Sequence, residues 1–127
     1  MFLDTSVIVE LMLGDDDRRI DIILKHINDE LIFISIVQLG EINDWCLANC
    51  ADSETRITQL KEIVHLIPLN DSICVEASNI KRQMRSQKIA KFSLIDGIIL
   101  ASARHIGQTL LSLDSDFRKA EGAVIIR

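Results

Sequence analysis

The sequence predicts an α/β protein: a three-layer α/β/α sandwich around a mostly parallel sheet of about four to five strands. Short, uniformly apolar segments such as LIFI (31–34) have the character of strands buried on both faces. These segments alternate with longer ones whose apolar residues recur at helical spacing, the pattern that builds a parallel sheet covered by helices. At 127 residues, 48% of them hydrophobic, the chain can bury one core, so residues 1–127 are expected to form a single domain.

The elements follow in order. FLD (2–4) is a short strand and TSVIVELML (5–13) the helix leaving it. GDDD (14–17) is a loop, and a helix around 17–28 places Ile20, Ile23, Leu24 and Ile27 on one face. After the LIFI strand, Ser35 opens a helix with Gln38 three residues on, the spacing of a capping box, and the helix runs to about Cys50. ADSETRITQLKEIVHL (51–66) is expected to be one helix capped by Asp52 or Ser53, with IPL (67–69) a connection or edge strand. A long helix spans about 71–86. Another begins at Ser93 and runs to about His105, with Gly107 just past its end. TLLSL (109–113) and AVIIR (123–127) are the last strands.

Charge and composition narrow the function classes. No stretch approaches the roughly 18 uninterrupted apolar residues of a membrane span, and the N-terminus lacks a cationic, signal-like segment. A cytoplasmic, soluble protein with reduced and mostly buried thiols at Cys46, Cys50 and Cys74 is expected. The net charge of −5 argues against a general nucleic-acid binder, but it is unevenly spread. Residues 1–70 carry 13 acids and 5 bases, whereas residues 71–127 carry 6 acids and 9 bases. For a polyanionic partner the distribution matters more than the total.

Four carboxylates stand in apolar surroundings. Asp4 follows MFL, Glu41 lies in ISIVQLGEI, Asp96 interrupts FSLIDGIILASA, and Asp114 follows TLLSL, with Asp116 two residues on. Taken singly, most have a structural explanation. Asp4 suits a helix N-cap, Asp96 a capping box from Ser93, and Asp114 and Asp116 a turn. Glu41, at position six of its helix, needs no cap. One shared site accounts for them all, because ligands in parallel sheets bind at the carboxyl ends of strands. Two carboxylates about 4 Å apart repel by about 4 kcal/mol at an effective dielectric near 20. Such a group must protonate, accept hydrogen bonds from Thr5, Ser6 or Ser112, or bind a cation. Oxygen-only donors favour Mg²⁺ or Mn²⁺, and metal-assisted phosphodiester hydrolysis is the chemistry that suits them.

FLDTSV, SIVQLGEI, SLIDGIILASA and TLLSLDSDF, in this order, resemble the motifs of the PIN domain, and within it the VapC-type toxins of prokaryotic toxin–antitoxin pairs. The resemblance implies that Asp4, Glu41, Asp96 and Asp114 are metal-binding and catalytic, with Asp116 at a more variable acidic position. Ser112 stands where many members have Thr. It further implies a Mg²⁺- or Mn²⁺-dependent endoribonuclease for single-stranded RNA, a homodimer, and a small antitoxin that silences it. Thr5, Ser6 and Ser112 would position carboxylates or water.

RNA must still reach an acidic site. In IKRQMRSQKIAKFSLID (80–96) five cations precede Asp96, and Arg85, Lys88 and Lys91, with Arg118, are candidates for phosphate contacts. Trp45 is expected to pack in the core or a dimer interface. A haloacid-dehalogenase-like phosphatase would need D-x-D where Asp4-Thr5-Ser6 stands, and a receiver domain would need an acidic pair there. The remaining alternative is a PIN-like RNA-binding or RNA-processing protein that is not a toxin, or a catalytically weak binding module.

Overall fold

A computed structural model describes residues 1–126. Strands β1 (Phe2–Leu3), β2 (Ile32–Ser35), β3 (Val64–Ile67), β4 (Leu110–Ser112) and β5 (Ala123–Ile125) form one sheet in the order β3-β2-β1-β4-β5. Every pairing is parallel. The helices are α1 (Thr5–Leu13), α2 (Asp17–Ile27), α3 (Ile36–Asn49), α4 (Ser53–Ile63), α5 (Asp71–Ser86) and α6 (Leu94–His105).

Alternation along the strands divides the core in two, because successive side chains point to opposite faces. Phe2 and Leu110 pack with Ile73, Ile80 and Met84 of α5 and Ile99 of α6. Leu3, Ile34 and Leu111 pack with Val7 of α1, Ile23 of α2, Ile42 of α3 and Leu60 of α4. The result is the expected α/β/α sandwich. Trp45 is half-buried against the second of these cores.

The two capping boxes expected from the sequence form. Ser35 with Gln38, and Ser93 with Asp96, each make both bonds of a capping box. Gly107, just past α6, has a φ of 67°, the left-handed conformation that glycine adopts without steric penalty. At Gly97 in α6 the need is different: an added methyl would overlap the carbonyl of Ala77 in α5.

Three expectations are corrected. The helix expected through Leu66 ends at Ile63, and Val64–Ile67 is strand β3, pairing Val64 with Ile32 and Leu66 with Ile34. Helical periodicity in α4 ran straight into this strand, and Pro68, which lacks an N–H, follows its last residue rather than sitting inside it. AVIIR is a strand only at Ala123–Ile125, and its Arg127 lies outside the described residues. Of the thiols, Cys46 is buried and Cys50 half-buried, but Cys74 is exposed on α5. Among the described residues, no helix is long and apolar enough to cross a membrane.

Candidate active site

Adjacent strands β1 and β4 pair Leu3 with Leu111, so the residues that follow them emerge side by side at the carboxyl edge of the sheet. Asp4 leaves β1 there and is only 5% exposed. It occupies the N-cap position of α1, yet its side chain makes no capping bond. Instead its Oδ2 accepts hydrogen bonds from Ser6 Oγ at 2.7 Å and Ser112 Oγ at 2.8 Å. Both hydroxyls also accept: Ser6 from the Leu113 amide at 3.1 Å and Ser112 from the Asp114 amide at 2.9 Å. These two small side chains tie α1 to the end of β4. Asp114 then caps a 3-10 turn over Ser115–Phe117, its Oδ1 accepting from the Asp116 amide at 2.9 Å.

Glu41 reaches the same edge from α3. The residue as a whole is exposed, contrary to what its apolar neighbours in sequence suggest. Ile42 and Cys46 take the core face of the helix, and the Glu41 carboxylate turns towards α1, where Thr5 Oγ1 donates to its Oε1 at 2.9 Å. Gln38, one turn earlier and fully buried, anchors this end of α3. Its Oε1 accepts from the Ser35 amide at 2.7 Å, and its Nε2 donates to the Leu3 carbonyl at 2.8 Å. The capping-box spacing pointed to the first of these bonds but not to the second, which joins α3 to β1. The signal in the sequence was a polar residue among apolar ones one turn before Glu41. Asp96, in the first turn of α6, is half-buried, and its Oδ2 accepts from the Ser93 amide at 2.9 Å. It is therefore a cap as well as a site candidate.

Burial raises the pKa of Asp4, opposed by its bonds from Ser6 and Ser112, and the charge of Asp114 raises it further. Burial of the carboxyl end also raises Glu41, with added repulsion from Asp4 and Asp96. Asp96 is raised by burial, then by Asp4 and Asp114. Asp4, Glu41, Asp96 and Asp114 thus share one electrostatic neighbourhood. Asp116 is half-buried beside it and faces the next cleft.

Among the described residues, no three His, Cys, Asp or Glu side chains converge tightly enough to cage an ion. Mg²⁺ takes one or two carboxylates directly and keeps water at its other positions. An all-oxygen set of mutually repelling carboxylates, its buried member held by hydroxyls, therefore fits a hard, hydrated cation.

The basic candidates separate. Arg85 is spoken for in part: its Nε donates to the Phe92 carbonyl at 3.0 Å. Lys88, Lys91 and Arg118 are exposed and line, with Asp116, a cleft of about 310 Å³. A separate apolar cavity of about 210 Å³ lies between α1, α4 and β3, and none of the carboxylates lines it.

The PIN domain family matches this sequence over residues 1–123. The chain belongs to the PIN domain family. No curated protein sequence matches it, but solved structures do. This PIN domain superposes on a toxin–antitoxin complex from Klebsiella pneumoniae with a TM-score of 0.78 at 19% identity, covering 97% of this chain and 94% of that one. FitAcB from Neisseria gonorrhoeae gives 0.76 at 20% identity, with coverage of 98% and 96%. VapC20 of Mycobacterium tuberculosis, a sarcin–ricin-loop-cleaving toxin, gives 0.69 at 20% identity, with coverage of 99% and 98%. At these identities the likeness is one of fold.

Proposed function

We propose that this PIN domain is a Mg²⁺- or Mn²⁺-dependent endoribonuclease that hydrolyses phosphodiester bonds in single-stranded RNA. In this reading it is the toxin of a type II pair, acts in the cytoplasm as a homodimer, and is restrained by a small antitoxin. The observation that carries the catalytic part is geometric: Asp4 and Asp114 follow the paired strands β1 and β4, and Thr5, next to Asp4, holds the Glu41 carboxylate at the same edge. The antitoxin is supported by neighbours described as toxin–antitoxin and VapBC assemblies.

The four carboxylates would hold the cation, which when bound supplies an activated water and charge stabilisation on the phosphate. Ser6 and Ser112 fix the Asp4 carboxylate by one oxygen, so that it keeps its orientation whether or not it is neutralised. Thr5 holds Glu41 toward Asp4 from the neighbouring helix, and the Ser93 amide holds Asp96. Raised proton affinities make protons compete for the same oxygens, so activity falls on the acid side.

Asp4→Asn and Asp96→Asn are expected to abolish divalent-ion-dependent cleavage of single-stranded RNA while circular dichroism shows the fold intact. Cleavage that persists in either purified variant would overturn the site. RNA binding without cleavage in the wild type, together with no rise in melting temperature on adding Mn²⁺, would favour the binding module.

A further inference from the structure

Beyond Asp116 the surface changes sign. The cleft lined by Lys88, Lys91 and Arg118 also includes Lys119. A second cleft, also about 310 Å³, shares Arg118 and Lys119 with it and adds Arg104. The two clefts adjoin at Arg118 and Lys119, and this composite trough is lined by five cations and the two acids Asp116 and Glu121. Among the described residues the only ion pair is Arg19 with Glu10, so none of the five is neutralised by a carboxylate partner.

The trough is built rather than incidental. Its two walls, the loop at 88–91 and the turn at 115–119, are pinned by Phe92 against Phe117, edge to face with centroids 5.5 Å apart. Both rings are fully buried. Arg85 ties the loop to α5 by donating from its Nε to the Phe92 carbonyl. Arg104 is steadied by donating to the Glu121 carbonyl at 2.8 and 3.2 Å. Lys88 has a φ of 69°, left-handed backbone just past the end of α5, where glycine is favoured.

We infer that this trough is the track for the phosphate backbone of single-stranded RNA on one side of the scissile bond, with Lys88, Lys91, Arg118 and Lys119 as its principal contacts. The inference rests on the endoribonuclease reading for the identity of the strand. The trough adjoins the carboxylates through Asp116, two residues from Asp114. Flexible cations on an open surface match a mobile polyanion and read no sequence, so they would add affinity over several nucleotides without selecting the cleavage site.

The test uses the full chain and fluorescently labelled oligouridine of about twelve nucleotides. Binding is followed against salt for the wild type and for Lys88→Gly, Lys91→Gln, Arg118→Gln and Lys119→Gln, singly and combined. The logarithm of affinity should fall less steeply with the logarithm of salt by about 0.7 for each cation removed. The combined variant should bind about tenfold or more weakly at low salt. Lys88→Gly should melt no lower than the wild type while binding RNA less well, which separates the charge effect from folding. An unchanged salt slope, no oligouridine binding by the wild type, or an equal loss from Arg18→Gln on α2 would overturn the inference. So would unchanged RNA binding beside a lost affinity for polyglutamate, which would assign the trough to an acidic protein partner. Salt-dependent, trough-dependent binding with no cleavage of any RNA would refute the nuclease reading and leave the track standing.

Discussion

Replacing Ser112 by alanine removes one oxygen and two hydrogen bonds. The hydroxyl is fully buried, donates to Asp4 Oδ2 at 2.8 Å and accepts from the Asp114 amide at 2.9 Å. A hydrogen bond to a charged group contributes about 1.5–3 kcal/mol and a neutral one about 0.5–1.5 kcal/mol, so the variant should lose about 2–4 kcal/mol. Solvent screening takes little from this, because Asp4 is only 5% exposed. The loss should also depend on pH. Asp4 has its pKa raised above 3.8, so the stability linked to its protonated form is full below 3.8 and is lost as pH rises through the raised value. The bond from Ser112 lowers that pKa, so removing it moves the value higher and extends the decline. Urea unfolding in chelator, at acid and at neutral pH, should show the larger difference between wild type and variant at neutral pH. Ser112→Thr, which keeps the hydroxyl, should recover most of the loss. An equal deficit at both pH values, or a deficit under about 0.5 kcal/mol at both, would mean that the hydroxyl does not hold Asp4.

Other changes have definite outcomes. With chelator present, the wild type should become less stable as pH rises from the ordinary values of 3.8 and 4.5, because Asp4, Asp96 and Glu41 are all raised; thermal melts should show Mn²⁺ restoring stability most at neutral pH. Thr5→Val removes the donor that lowers the Glu41 pKa, so the acid limb of the cleavage–pH profile should move to higher pH. Gly97→Ala drives a methyl into the Ala77 carbonyl and should cost about 1–3 kcal/mol by urea unfolding. Phe92→Ala should cost about 3–5 kcal/mol and, where the protein still folds, widen the gap between the loop at 88–91 and the turn at 115–119.

Much of this architecture was legible because local rules and global fold agree. Ser35 and Ser93 announce their helices with residues that can cap nothing else, and the short apolar runs all became strands. β3 was not legible. Val64 and Leu66 continue the helical spacing of α4, and only pairing with β2, remote in sequence, makes them a strand. The acidic residues showed as misfits, but their roles were mixed. Asp96 and Asp114 do cap, whereas Asp4 sits at a cap position and turns its carboxylate elsewhere. Glu41 was marked by apolar neighbours although the helix shows it to solvent, because a one-residue step turns a side chain by about 100°. Gln38 could not be read as the link between α3 and β1, since its partner is a backbone carbonyl 35 positions away.

The sheet order also sets a clock. β1 precedes the other four strands in the sequence, yet it lies in the middle of the sheet, and one of its two neighbours is β4. The bond between Asp4 and Ser112 spans 108 positions, and Asp114 comes later still. Until β4 has been made, then, the chain carries these carboxylates apart. The edge where these carboxylates meet is complete only once β4 and the turn after it have been made and docked.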